Sequence, residues 1–355
     1  MPASGDHAEA SSPQEEGRSQ KRAKDFLIIC FLLLLPLLYF WRVVTPELKD
    51  QATIAQGDLI EVFYPFRHFV AAELWAGRVP LWNPHIYGGQ PGLADIQEGA
   101  LYPPGLMTIL FAAREGLPVK ALEGEVILHF SLAGLFTYLF VHRLLGSRFA
   151  GMVAALTFAY GGYLTSFPVT QVGILEAAIW LPLVLYFLHL GLERGAKFFL
   201  LAGLTWAFSL LAGHPQTSMY LLYTCLAFLG YYYFAQRKRV EGRRFLAQVA
   251  LFVACGVGLA AIQLVPTLEF MRLSQRAEVS YSFTEWGFRL TELSAFLVPV
   301  ELGGLALYVG ILPLILAAGA ILLDRVHRDR LLWGGLALSS LLASLGGSTF
   351  FYSLL

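Results

Sequence analysis

The side chains best suited to chemistry crowd into one stretch, Gly57 to Pro104. It holds two short carboxylates, Asp58 and Asp95, the amide of Gln97, and the run Trp82-Asn83-Pro84-His85-Ile86-Tyr87. A positioned carboxylate accepts the proton of an attacking hydroxyl. An aromatic cluster outside a membrane stacks on a sugar or a prenyl head, or forms an interfacial belt. Asp58 and Asp95 are also hard oxygen donors of the kind that Mg2+ and Mn2+ take. Asp58 has a structural alternative, because Asp58-Leu59-Ile60-Glu61 has the spacing of a helix capping box. Further along, His214 stands in a Gly213-His214-Pro215-Gln216 turn, where a lone histidine usually serves the turn itself. Glu269, Arg272 and Arg276 are three and four residues apart and share a face if the stretch is helical. An arginine fork suits a phosphate, although such residues equally pair with lipid headgroups or with each other.

The elements that hold these groups are hydrophobic helices. The chain has 355 residues, of which 57% are hydrophobic and 14% charged, against roughly a quarter charged in soluble domains. Formal net charge is zero, and the absence of a long basic run argues against nucleic acid. The three cysteines, Cys30, Cys225 and Cys255, fall in apolar segments without a CxxC pair, which supports neither a disulfide framework nor a cysteine metal site. Apolar runs predict spans at 26–44, 121–141, 149–166, 172–190, 197–212, 216–234, 245–266, 303–323 and 331–345, after a polar, disordered tail over 1–25. Residues 45–120 and 267–302 are left as two long external loops. Within the first, Pro65 to Ala76 reads as a surface helix with Phe66, Phe69 and Leu74 packing and with Arg67 and His68 facing away. Gly105 to Ala113 is apolar but too short to span. Gly88-Gly89-Gln90-Pro91 reads as a chain reversal.

With the N-terminus in the cytoplasm, 16 basic residues fall on the inner side and 9 on the outer, as the positive-inside rule requires. Both long loops and the His214 turn then share the outer face of a plasma membrane.

The ordered set Asp58, Pro65-Phe66, Gly77, Pro80-Leu81-Trp82-Asn83-Pro84, Gly88-Gly89-x-Pro91, Ala94-Asp95-x-Gln97 and Tyr102-Pro103-Pro104 resembles the YfhO-type bacterial membrane proteins. Weaker echoes follow at Gly213 to Gln216, at Gln263 to Arg276 and at Gly346-Gly347. That family is similar to the GT-C superfamily, glycosyltransferases that use polyprenyl-phosphate sugar donors. The apolar runs make it an all-α polytopic membrane protein of about nine helices, and the resemblance implies a GT-C-like fold with a long first external loop. It implies Asp58 as the catalytic acid of that loop, acting on the acceptor or on a metal. Trp82, Asn83, Asp95, Gln97, Tyr102, His214, Gln216, Arg272 and Arg276 become the substrate-binding candidates. Family members often carry an amide in place of Asp95. Mg2+ or Mn2+ is used by some GT-C enzymes only.

The resulting expectation is transfer of a sugar from a polyprenyl-phosphate donor to an extracytoplasmic cell-envelope acceptor. The alternatives are a flippase or transporter of lipid-linked sugars and a non-catalytic membrane scaffold. Against ion-coupled transport, only His129 approaches mid-span among the acidic and histidine side chains of the predicted helices. The apolar run Phe350 to Leu355 ends without a basic flank, and the family pattern predicts further helices beyond it.

Overall fold

The computed structural model describes residues 13–112, 116–235, 241–275, 287–299, 301–302, 305–323 and 329–348. Arg276 and the run 350–355 lie outside them. The described chain is helical apart from a two-residue antiparallel pair, β1 (Glu301–Leu302) with β2 (Leu305–Ala306).

Helix α1 (Pro13–Tyr39) starts well before the apolar run that begins at Phe26. The stretch 13–25, expected without structure, is rich in Gln, Glu, Arg and Lys, good helix formers that extend a helix already nucleated downstream. In the first long loop, a wide π-turn at Leu59–Phe63 runs into α2 (Tyr64–Trp75). The short α3 (Pro103–Phe111) follows. The bundle proper comprises α4 (Val119–Leu145), α5 (Arg148–Tyr160), α6 (Val172–Ala178), α7 (Leu181–Arg194), α8 (Ala196–Leu211), α9 (Pro215–Ala235) and α10 (Gly242–Arg272). Then come α11 (Ile311–Leu322) and α12 (Asp329–Ser344).

Among the described residues, three stretches are long and apolar enough to cross a membrane: α4, the joined α6 and α7 over Val172–Arg194, and α10. The stretch predicted to span 149–166 is broken instead. Helix α5 stops at Gly161, and two single turns, Gly162–Thr165 and Phe167–Thr170, lead to Gln171. Pro168 lacks the amide that an unbroken helix would use there. Helix α11 is likewise shorter than the predicted 303–323, because Leu305–Ala306 pair as β2 with β1 and Gly310 takes φ +96°.

One buried cluster joins the helices, with Phe130 and Val126 of α4, Leu175 of α6, Leu188 of α7, Phe199 of α8 and Phe252 of α10 in its interior. Helix α10 lies against α8 at backbone range: a Cβ added to Gly203 would come 2.6 Å from the Phe252 carbonyl oxygen. Small residues permit this approach between membrane helices. The outer side of α10 presents Val257, Leu259, Ile262, Val265 and Leu268 exposed, the apolar face that a lipid environment demands. At the end of α4 remote from the long loop, Asp25 of α1 accepts from Arg148 Nε at 2.5 Å and from the Tyr138 hydroxyl at 3.1 Å. Arg143 pairs with Glu193 at the same end.

Candidate functional site

The first long loop is a folded cap on one end of the bundle, at the N-terminal ends of α4, α6 and α9. Its helix α2 forms because Pro65 occupies the first turn and Phe66, Phe69, Val70 and Ala71 recur at helical spacing. All four are buried, at roughly 1.5–3 kcal/mol for each of the two phenylalanines and the valine. The Tyr64 hydroxyl donates to the Leu117 carbonyl at 2.8 Å, and the Trp75 indole donates to that of Ile109 at 3.3 Å. Ahead of the π-turn, the Thr53 hydroxyl and the Ile54 amide donate to Glu123 at 2.6 and 2.9 Å.

Arg67 corrects the sequence reading, which faced it away from the protein. It is 4% exposed. One guanidinium nitrogen, Nη2, donates to both carboxylate oxygens of Glu176 at 2.7 and 2.8 Å, and Nη1 donates to the Gly99 carbonyl at 2.9 Å. Two glycines make room. Gly99 takes φ +56°, and a Cβ on Gly105 would approach the Arg67 Cζ to 2.8 Å. Around the pair stand Glu125 and His129 of α4, Tyr102 and Trp180, all buried. The Tyr102 hydroxyl lies 2.6 Å from His129 Nε2 and accepts from the Trp180 indole at 3.1 Å, while His129 Nδ1 lies 2.6 Å from the Glu125 carbonyl.

Asp58 does not cap the turn that follows it, since its side chain makes no capping hydrogen bond. The Gln171 amide donates to Asp58 Oδ2 instead. Gln171 is free to do so because it sits in the break between the turn Phe167–Thr170 and α6. Both residues are half-buried.

The remaining candidates divide by direction. Asn83 is buried, bridges to Gln90 through the backbone, and donates from Nδ2 to Glu98 at 2.9 Å. Asp95 accepts from the Gln97 amide at 3.1 Å and from Gln90 Nε2 at 3.0 Å. Tyr102 is wholly inside. Trp82 is exposed and covers Gly89, whose Cβ would fall 2.6 Å from the indole ring. Gly89 is therefore needed both for its φ of +116° and for the ring. Gln97 is half-buried. His214 Nδ1 accepts from the Thr217 amide at 3.2 Å and so caps α9, and burial lowers its pKa. Gln216 is exposed and donates to the Tyr220 hydroxyl. Arg272 is exposed in the last turn of α10.

Several of these segments converge. The space that a Cβ on Gly213 would need is taken by the Ile96 carbonyl at 2.8 Å and Gln97 Cα at 3.4 Å, and Gly173 of α6 faces Phe63 and the Ala212 carbonyl. The buried Gln263 of α10 donates to the Leu93 carbonyl. Loop, α6, the His214 turn and α10 thus meet at one end of the bundle. Sequence reasoning found these segments and missed Arg67, Glu98, Gln171 and Glu176. Glu98 is buried with Oε2 unpartnered, and burial pushes its pKa up to about 7, against the Asn83 hydrogen bond and with the help of the Asp95 charge.

The carboxylates that could take a divalent ion already have protein partners. Asp95 gives both oxygens to protein donors. Glu125, His129 and Glu176 bring ligand-type atoms within 4.8 Å of one another, but the Arg67 guanidinium already occupies Glu176 and Tyr102 takes His129 Nε2.

Two adjoining apolar cavities of about 610 and 770 Å3 run along α5 towards α11. Val153, Thr157, Gly161, Val309 and Pro313 line both. One reaches Thr165 and Ser166 in the broken segment and the other reaches Leu145 and Phe149.

These features define a helical membrane protein with a folded polar cap at one end of its bundle. Residues 109–353 match the family model described as bacterial membrane protein YfhO. The match covers more than half of the chain, and the protein belongs to the YfhO family. The matched residues begin after the Gly57–Pro104 loop that carried most of the resemblance. Neither the curated proteins searched nor the solved structures searched give a match.

Proposed function

We propose that the protein is a GT-C-type glycosyltransferase of the plasma membrane. It moves a sugar from a polyprenyl-phosphate donor to an extracytoplasmic cell-envelope acceptor. In this reading the N-terminus is cytoplasmic, the chain spans the membrane nine times and the long loop is external. The observation that carries the reading is the half-buried Asp58 carboxylate, held by Gln171 at the break between α5 and α6. Among the described residues no donor reaches its Oδ1, which is left to accept the proton of an acceptor hydroxyl. The apolar cavity that reaches Thr165 and Ser166 offers room for a prenyl chain beside that break. Trp82, Gln97, His214, Gln216, Arg272 and Arg276 are the proposed contacts to sugar and phosphate, and Asn83, Asp95 and Tyr102 shape the loop that bears them.

Asp58→Asn in the full-length protein tests this. The amide nearly preserves volume but removes basicity, and general-base catalysis contributes about 10²–10⁴-fold. Sugar transfer from a polyprenyl-phosphate donor should fall by that factor while the variant inserts and folds normally. Near wild-type transfer by a well-expressed variant would remove the assignment. A lipid-linked sugar co-purified and identified by mass spectrometry would name the donor.

A further inference from the structure

The cap carries an apolar face that no described part of the bundle covers. On α3, Met107, Leu110 and Phe111 are 61%, 76% and 89% exposed. Leu110 and Phe111 follow Met107 by three and four residues, so the three share one side of the helix. The nine residues of α3 include no charged side chain. Its one polar side chain, Thr108, donates its hydroxyl back to the Pro104 carbonyl at 3.2 Å. Gly105 and Ile109 are buried against the protein. A helix without a polar stripe needs an apolar neighbour on every side, and an exposed apolar patch of this kind marks a contact surface.

Depth along the bundle decides what that neighbour is. Helix α3 lies against α4, which is long and apolar enough to span. Both ends of α3 are tied to levels on α4. Tyr102 immediately precedes α3, and its hydroxyl lies 2.6 Å from His129 Nε2. Ile109, near the other end, belongs to the buried cluster that holds Leu117 and takes in Ala121 at the start of α4. Lys120 and His129 are nine positions apart, about 14 Å of helix, and the nine residues of α3 rise by the same amount. Helix α3 therefore runs antiparallel to α4 along its first three turns. Two side chains mark the membrane surface at that end. Lys120 is half-exposed, with Nζ donating to the Val43 carbonyl at 3.1 Å. Trp41, two residues before Val43, is half-exposed as well. A lysine and an indole are what the headgroup level favours. The length of α4 agrees with this placement. Its 27 residues reach about 40 Å, about 10 Å more than a hydrocarbon core. Even with all of that excess on the cap side, the Tyr102 hydroxyl, about 15 Å from the first residue of α4, lies within the hydrocarbon.

We infer that α3 is a half-span element set into the leaflet on the cap side, and that its Met107, Leu110 and Phe111 face meets the acyl chains of that leaflet. The cap is then seated in the bilayer along one flank instead of standing above it. Helix α3 starts at Tyr102 and passes the Arg67 guanidinium at Gly105, so the lipid contact and the Arg67–Glu176 pair bear on one short helix. The inference uses the membrane placement of α4. It depends neither on sugar transfer nor on which side of the membrane the cap faces.

Spin-label collision measurements in vesicles of phosphatidylglycerol and phosphatidylethanolamine test the contact. Full-length protein with Cys30, Cys225 and Cys255 replaced by alanine carries a nitroxide at Met107→Cys, Leu110→Cys or Phe111→Cys. Tyr87→Cys, at an exposed position of the same loop, is the reference. At the three α3 positions, dissolved oxygen should reach the label more readily than a water-soluble nickel chelate, and at Tyr87 the order should reverse. Nickel access on α3 equal to that at Tyr87 would put the helix in water and overturn the inference. Access by neither reagent would show the face covered by protein, from a second copy or from another part of the chain, and would overturn it equally. A measurement on the unaltered protein guards against a variant that misfolds. A hydrophobic diazirine dissolved in the same vesicles should modify the 103–111 segment together with the α10 segment that exposes Leu259 and Ile262. Modification of α10 without 103–111 would refute the lipid contact.

Discussion

Removing the Arg67 guanidinium measures how much of the cap rests on one buried ion pair. In Arg67→Ala the protein loses the hydrogen bonds to Gly99 and Glu176 at 2.7–2.9 Å. It also leaves Glu176, fully buried, without its cation. Deleting one partner of a buried pair costs about 3–5 kcal/mol, more than the pair itself contributes, because the orphaned charge stays in place. A companion variant separates the two effects. Arg67→Met with Glu176→Leu removes both charges and keeps apolar volume, so it should recover most of the loss. The assay is thermal unfolding in detergent, with tryptic cutting of the loop as a local probe. At constant pH, Arg67→Ala should unfold well below wild type and expose the loop, and the double variant should lie between them. If Arg67→Ala stays within about 1 kcal/mol of wild type, the range of an exposed pair, the pair is not the fastening described here.

Three further outcomes are expected. Glu98 has its pKa raised from 4.5 to about 7 in the folded chain, so the folded state binds its proton more tightly than the unfolded one. Stability is then fullest below pH 4.5 and falls as pH rises towards 7, by up to ~3 kcal/mol at 1.36 kcal/mol per pKa unit. Glu98→Gln, which keeps an oxygen for Asn83 Nδ2, should flatten that slope in a melting series from pH 4.5 to 8, and an unchanged slope would exclude Glu98 as its source. Gly105→Ala should drive a methyl into the Arg67 guanidinium and cost ~1–3 kcal/mol in the same melting assay, whereas Gly124→Ala meets nothing within 4 Å and should not. A cysteine at Tyr87, which is 93% exposed, should react with an impermeant thiol reagent from outside intact cells; labelling from the cytoplasmic side alone would reverse the proposed orientation.

The helices were legible because their signal is local. Apolar runs marked where helical segments lie, although 149–166 is broken and three stretches among the described residues are long and apolar enough to span, and Pro65 marked the start of α2 within a residue. What the sequence hid depends on partners far along the chain. Helix α2 was read as lying on a membrane, with one narrow buried face. At ~100° per residue, Arg67 falls only about 60° from the centre of the arc formed by Phe66, Phe69, Val70 and Ala71. A surface helix would leave Arg67 at the edge of that arc. Here the arc is wider, because the segment from Gly99 to Gly105 and α6 close over it. Glu176 gave no signal of its own, since an acid near a predicted helix end is ordinary until an arginine 109 residues earlier is known to reach it. Gln171 was hidden for a different reason: the 149–166 run reads as one span, and only the Gly161-Gly162 and Pro168 breaks free its side chain for Asp58.

The two polar contacts that matter most have the same layout. Asp58 meets Gln171, and Arg67 meets Glu176. In each, the first partner lies upstream of the residues that match the family model and the second lies within them. A buried glutamate in a membrane helix is costly unless a cation reaches it, and for Glu176 that cation comes from the long loop. The helices are therefore not complete without the loop. The loop in turn cannot bury Arg67 without Glu176 and the two glycines that admit the guanidinium. Gln171 and Glu176 are five residues apart across the start of α6, so seating Arg67 on Glu176 also sets the stretch that holds Asp58. A change at the Arg67–Glu176 pair, which touches none of the proposed contacts to sugar and phosphate, should for that reason be felt at Asp58.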